Sequence, residues 1–221
     1  MRMDDYRTTL EAQGWCSLST SVSITQAALS AAVASLAEEL GEIVPGRGRR
    51  RVEQIVPQET QAAYAGSLSE QVGFAPMPLH TDTAHWTVPC RYMVMACAEP
   101  GPKPTPTMLL DSKTVALDAR QSAACSTAVF LVRNGRQSFY GSITARDRPF
   151  IRFDLGCMEP LSAEGAEVAD AISYQQNAEK ARRHNWQRGD VLVIDNWRTL
   201  HGRGVDDHTA PGRVLLRAMV R

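Results

Sequence analysis

From Arg91 onward the chain reads as short apolar runs set off by Pro, Gly and Asn, and this pattern constrains the fold more than any other feature. RYMVMACA (91–98) is apolar at odd and even positions alike and lies between Pro89 and the Pro100/Gly101 turn, the pattern of a strand covered on both faces. Further strands are expected at TMLLD (107–111), VLVID (191–195) and RVLLRAMVR (213–221). AVFLVR (128–133) and RQSFYGSI (136–143), joined through Asn134 and Gly135, have the form of a hairpin. FIRFD (150–154) follows the turn-rich ARDRP as one more strand. Helices are expected over 4–12, ahead of a first strand at 15–18, and over 162 to about 184. Another runs to Leu40, with Ser23 and Gln26 spaced as a capping box and Gly41 placed as its C-terminal cap. This helix should pack on the outside of a sheet. Many short strands, with helices at the start and in one late insert, imply an α+β chain with a mainly β core, either a sandwich or a barrel.

A length of 221 residues suits one core, and no linker or repeat divides the sequence, so a single domain over 1–221 is expected. Its N-terminal part, to about residue 70, is read as helical and packed on the β core. Lys plus Arg and Asp plus Glu both number 24, which gives no reason to expect a polyanionic partner. The basic cluster Arg47, Arg49, Arg50 and Arg51 is flanked by Gly and Pro and reads as a solvated loop, so no nucleic acid is expected. No apolar run approaches the ~20 residues needed to span a bilayer, and the first residues lack a secretory apolar core. No membrane role and a cytoplasmic location are the expectation, while the oligomeric state leaves no signal. Five cysteines without a C-x-x-C pair suggest neither a disulfide framework nor a zinc finger but reduced thiols packed as small hydrophobes.

Candidate chemistry begins in PMPLHTDTAHW, where His80 and Asp82 stand two residues apart just before a strand, so that on extended backbone both leave one face. His201, in GDVLVIDNWRTLHGRG just past another strand, is the third candidate. Two imidazoles and one carboxylate on one side of a metal leave the remaining positions open for substrates. H-x-D alone is weak evidence, because such pairs are frequent in turns. His85 is an alternative ligand in a loop, and His184 and His208 stand in polar surroundings that read as solvated. Asp195 and Asn196 read as residues that tie a turn through side-chain to backbone bonds.

PLHTD, TMLLD, FIRFD, GDVLVIDNWRTLHGRG and GRVLLR together resemble the taurine dioxygenase (TauD/TfdA-like) branch of the 2-oxoglutarate-dependent oxygenases, which includes the clavaminate-synthase-like hydroxylases. The resemblance runs from about Pro78 to Arg217 and implies a double-stranded β-helix, or jelly roll, flanked by helices. It also implies iron(II) on His80, Asp82 and His201, with 2-oxoglutarate and O2 as co-substrates. A Thr at the start of a core strand and an Arg after the late His then hold the far carboxylate of 2-oxoglutarate, roles that fall on Thr107 and Arg213. GPKPTPT replaces the Gly-rich turn usual in the family, which leaves Thr105 as a competing choice. Asp82 stands where halogenating relatives carry a small residue, which favours hydroxylation.

A carboxylate in a dry pocket must be paired and hydrogen-bonded, and a guanidinium with a hydroxyl meets that need. Arg217, four residues after Arg213 on one strand, should share its side and meet the primary substrate. A surface pairing of both arginines with Asp206 and Asp207 is the bland alternative. Arg152 is a candidate for the cavity wall, and Trp86 and Tyr140 for its apolar part. The expected activity is hydroxylation of an unactivated C–H bond in a small anionic or amino-acid-like metabolite, with release of succinate and CO2. Two other classes compete with it: a non-catalytic small-molecule-binding jelly roll, and a cupin-type metalloenzyme that does not use 2-oxoglutarate.

Overall fold

The computed structural model describes residues 3–19, 25–46, 48–64, 67–102, 105–173, 175–204 and 212–221. Helix α1 (Met3–Gln13), strand β1 (Trp15–Ser19), α2 (Gln26–Leu40), β2 (Ile43–Val44), β3 (Glu53–Ile55) and α3 (Leu68–Val72) come first. Then follow β4 (Met77–His80), β5 (Tyr92–Glu99), β6 (Thr107–Asp111), α4 (Ala119–Thr127), β7 (Phe130–Val132), β8 (Phe139–Gly141) and β9 (Met158–Pro160). The last elements are α5 (Ala163–Ser173), α6 (Gln175–Lys180), β10 (Arg182–His184), β11 (Asp190–Asp195), β12 (Thr199–Arg203) and β13 (Val214–Val220). One six-stranded sheet has the order β1-β11-β5-β13-β2, with β3 also on β13. A second has the order β10-β6-β12-β4, and a small third one the order β8-β7-β9. The strand pairs of all three sheets are antiparallel.

The two-sided apolar runs have a direct cause. Val94, Ala96, Val191, Val193, Leu216, Ala218 and Val220 face α1 and α2, and α2 answers with Leu29, Val33 and Ala37 at four-residue spacing. The opposite parity, with Met93, Met95, Cys97, Leu192, Ile194, Leu215 and Met219, packs with Leu109 and Trp186 into a separate core. Strands β5, β11 and β13 are therefore buried on both faces, which the alternation rule for a half-exposed strand would miss. Thr25 caps α2, its hydroxyl accepting from Ala28 N at 3.2 Å, and the expected Ser23 cap lies outside the described residues. At Gly41 an added Cβ would meet the Arg221 carbonyl oxygen at 2.2 Å, so the chain can leave α2 against the end of β13 only without a side chain. No helix among the described residues is long and apolar enough to cross a membrane.

Four expectations need correction. FIRFD is not a strand, because its amides bond to scattered partners: Ile151 N donates to Trp197 O, Arg152 N to Ile143 O and Phe153 N to the Thr81 hydroxyl. The hairpin does not turn at Asn134-Gly135 alone. Its ladder closes at Val132 and Phe139, and a 3-10 turn (Gly135–Gln137) fills the gap. The late helix ends at Lys180, and 182–184 pairs with β6 as a strand. The N-terminal part also supplies β1 to one edge of the larger sheet and β2 and β3 to the other, so it does more than cover the core.

Candidate metal centre

β4 and β12 are antiparallel neighbours in which His80 and His201 face each other, with ring centroids 4.6 Å apart. His201 thus lies inside a strand rather than after one, and His80 ends a strand rather than preceding one. Asp82 lies in the turn that follows, with Oδ1 3.5 Å from His80 Nε2 and 3.8 Å from His201 Nε2. His80 Nδ1 is 2.9 Å from the Pro78 carbonyl, which can only accept, so this nitrogen carries the proton and Nε2 is free to ligate. These three residues form the one His/Cys/Asp/Glu group among the described residues in which ligand atoms converge, all within 4.8 Å. Two imidazole nitrogens and one carboxylate oxygen are the donor set of a mononuclear non-haem iron(II) site.

Neighbouring residues hold this turn from several sides. Thr81, between His80 and Asp82, donates its amide to Phe153 O at 2.7 Å and its hydroxyl accepts from Phe153 N at 3.0 Å. Asn196 brackets Asp82: its Oδ1 accepts from Asp82 N at 2.8 Å, and its Nδ2 donates to Asp82 O at 3.0 Å and Cys90 O at 2.8 Å. Thr83 takes a left-handed φ of 55°, which costs about 1–3 kcal/mol in a non-glycine residue, and its hydroxyl accepts from Cys90 N. Arg152 is fully buried and donates to the carbonyls of Ala84, Trp86 and Thr87. Its guanidinium therefore ties down the segment that follows Asp82.

Arg217 meets Asp82 from the other sheet. Its NH1 donates to Asp82 Oδ2 at 2.6 Å and its NH2 to Glu53 Oε2 at 2.9 Å, with Glu53 opposite it in the β3–β13 register. Asp82 Oδ2 is thereby occupied and Oδ1 is left toward the imidazoles. Burial opposes the Asp82 charge, but Arg217 and the two imidazoles hold the carboxyl well below its ordinary range. For His80, burial is outweighed by Asp82 and Asp154 and the pKa is raised. For His201, burial prevails, with the His80 charge added, and it is lowered.

A second polar group stands on β6 and its neighbours. Thr107 is buried, and its hydroxyl accepts from Trp186 Nε1 at 2.9 Å. Arg213 is buried, with NH1 donating to the Thr105 carbonyl at 2.8 Å and Nε without a partner. Arg203 is buried as well and donates to the carbonyls of Gly73 and Ala75. Neither guanidinium has a carboxylate partner among the described residues. Burial, together with the Arg203 charge, pulls the Arg213 pKa down to about 10.

Of the remaining candidates, Trp86 packs partly buried against the core between the sheets, while Tyr140, on β8 of the small sheet, is 71% exposed. His85 stays outside the metal group, and His184, expected to be solvated, is half-buried with its ring 4.4 Å from that of Trp186. Arg47, Asp206, Asp207 and His208 lie outside the described residues. The sequence reading missed Glu53, Trp186 and Arg203. Glu53 had no local pattern to betray it, but Arg203 could have been found from its position two residues after His201 on the same strand parity.

The family model described as "Taurine catabolism dioxygenase TauD, TfdA family" matches residues 111–219, which include His201, Arg213 and Arg217 and leave out His80, Asp82 and Thr107. No curated protein matches the sequence significantly. Among solved structures, asparagine oxygenase (AsnO) superposes with a TM-score of 0.75 at 19% identity, covering 98% of this chain and 76% of that one. The same enzyme with Fe(II), 2S,3S-3-hydroxyasparagine and succinate gives 0.74 at 18%, covering 98% and 77%. The non-heme iron oxygenase OrfP with Fe and alpha-ketoglutaric acid gives 0.73 at 18%, covering 98% and 78%. At such identities the likeness establishes the fold.

Proposed function

We propose that this chain, which the TauD/TfdA family model matches over residues 111–219, is a TauD-like iron(II)- and 2-oxoglutarate-dependent oxygenase hydroxylating an unactivated C–H bond of a small amino-acid-like metabolite. Succinate and CO2 would be the co-products. The observation that carries this reading is the convergence of His80 Nε2, Asp82 Oδ1 and His201 Nε2 on one point. The antiparallel sheets are read as a double-stranded β-helix within a single domain over 1–221. Iron, when bound, supplies the activation of dioxygen.

The chain's own residues supply position and charge. Arg217 occupies Asp82 Oδ2 and so favours ligation through one oxygen, which keeps other metal positions open. Arg213 and Thr107 would receive the far carboxylate of 2-oxoglutarate. Arg217 and Glu53, held together by 2.9 Å, present a cation and an anion side by side. That pair is suited to a substrate bearing both a carboxylate and an ammonium, which supports an amino acid over a simple acid. The solved relatives include OrfP with (3S)-hydroxy-L-Arg and asparagine oxygenase with a hydroxyasparagine, in keeping with this class.

The test is anaerobic addition of iron(II) and 2-oxoglutarate. A weak visible charge-transfer band is expected in the native protein, followed in air by succinate formation that rises when the right amino acid is present. A band that persists in the His80→Ala, Asp82→Ala and His201→Ala proteins alike would place the metal elsewhere.

A further inference from the structure

We propose that Trp186 is a positioning residue of the co-substrate pocket: its indole N–H fixes the Thr107 hydroxyl as a donor, reserved for the far carboxylate of 2-oxoglutarate. The inference rests on the co-substrate reading above and assigns a role to a residue which that reading does not use.

An indole nitrogen can only donate, whereas a threonine hydroxyl has one proton and two acceptor lone pairs. The Trp186 Nε1 to Thr107 Oγ1 bond, at 2.9 Å, therefore has one possible direction, and Thr107 must place its own proton elsewhere. No protein acceptor takes that proton among the described residues, and Thr107 is buried, 7% exposed. A buried donor without an acceptor is costly, so the pocket is built for an acceptor that arrives from outside.

The surroundings specify which acceptor. Thr107 lies on β6 between Arg203 of β12 and His184 of β10, each directly opposite it in register. Arg213 bonds to the carbonyl of Thr105, two residues away, and keeps a buried Nε with no partner. A hydroxyl proton, an unused guanidinium N–H and two buried positive charges without a carboxylate thus stand around one short stretch of strand. An oxyanion satisfies all of them, and a neutral group would leave the charges unmatched.

Trp186 itself is well fixed. It is 2% exposed, packed in the core between the sheets, and the His184 ring stands edge-on to it at 4.4 Å and 90°. An indole needing only an acceptor could use any backbone carbonyl. Here it uses the one side chain whose proton becomes directed by that choice.

The experiment titrates the anaerobic iron(II) protein with 2-oxoglutarate and, separately, with 2-oxobutyrate, which has the same keto-acid end but no far carboxylate, following the visible band. Trp186→Phe is expected to raise the dissociation constant for 2-oxoglutarate about tenfold while that for 2-oxobutyrate stays within about twofold. Thr107→Val should show the same selective loss, and the double variant less than the product of the two. Equal weakening for both oxoacids, or none, overturns the inference and leaves Trp186 an ordinary core residue. If Trp186→Phe does not fold, the indole N–H resonance of Trp186 in the zinc-loaded native protein carries the test. It should shift with 2-oxoglutarate and stay still with 2-oxobutyrate, and a signal that moves equally with both overturns the proposal. A native protein that binds neither oxoacid defeats the functional reading itself, a result distinct from loss of the selective effect.

Discussion

Arg213 and Arg217 are the same residue type, four positions apart, the first just before β13 and the second within it, yet their pKa values move in opposite directions. Burial disfavours the charge of both. At Arg217 the carboxylates of Asp82 and Glu53 more than compensate and its pKa is raised, whereas Arg213 meets only a carbonyl and a second guanidinium and falls to about 10. The contrast separates two kinds of site. Around Arg217 the guanidinium already faces two carboxylates, so that end of the space between the sheets holds no unanswered positive charge. Around Arg213 and Arg203 positive charge is in excess, and the missing partner must be a ligand.

The most damaging way to break this comparison is to remove one of the three side chains proposed to hold iron. His80→Ala, Asp82→Ala or His201→Ala should abolish iron(II) binding in an equilibrium titration, and Asp82→Ala should also leave Arg217 with only Glu53. Arg217→Leu comes next. Taking one member from a buried matched cluster costs about 3–5 kcal/mol, so the ligand-free protein should lose that much in chemical denaturation. The milder Arg217→Ala should still bind 2-oxoglutarate and release succinate slowly, with hydroxylated product lost in a coupled assay. Arg213→Leu sharpens the contrast because its sign in the ligand-free protein is reversed. Removing an unmatched buried charge should leave that protein as stable as the native one or more so, while affinity for 2-oxoglutarate falls by about 3 kcal/mol and iron binding persists. If Arg213→Leu and Arg217→Leu destabilise the ligand-free protein equally, the division into matched and unmatched ends is wrong.

The smallest effect belongs to a matched pair away from the site. Asp111 accepts from Arg198 NH2 at 2.6 Å and from Lys113 N. Although burial works against its charge, these bonds hold its pKa below the ordinary value of 3.8. A depressed carboxylate contributes stability that is fully present above its unfolded pKa and lost as pH falls through the folded one. Asp111→Asn should therefore cost about 1 kcal/mol at neutral pH, and the gap from the native protein should close below about pH 3.8.

Much of this was legible in the sequence because it was local. The long strands β5, β11 and β13 of the large sheet announced themselves through uninterrupted apolar runs, and α2 through its spacing and Gly41, whereas β2 and β3 did not. His80, Asp82 and His201 could be chosen because spacing and resemblance both pointed to them, although the strand boundaries around them were off by a residue or more. FIRFD misled because β-like composition reports burial, and this segment is buried without a ladder. The opposition of Glu53 to Arg217 comes from a strand register joining residues far apart in the chain, which no window of sequence contains. Trp186 gave no signal in the sequence: it is a core residue whose single polar atom reaches a hydroxyl on another strand, information that resides in packing alone.

Cys90 adds a consequence for durability. Its sulfur lies 3.6 Å from Asn196 Nδ2, on the residue that brackets Asp82, and burial together with the Asp82 charge raises its pKa to about 12. Oxidants attack the thiolate far faster than the thiol. A sulfur so near a centre proposed to handle dioxygen is thus kept in its unreactive form chiefly by burial, and further by the same carboxylate that would hold the metal. Losing the Asp82 charge would remove the smaller part of that protection as well as empty the site, so one side chain serves both the turn and its neighbour.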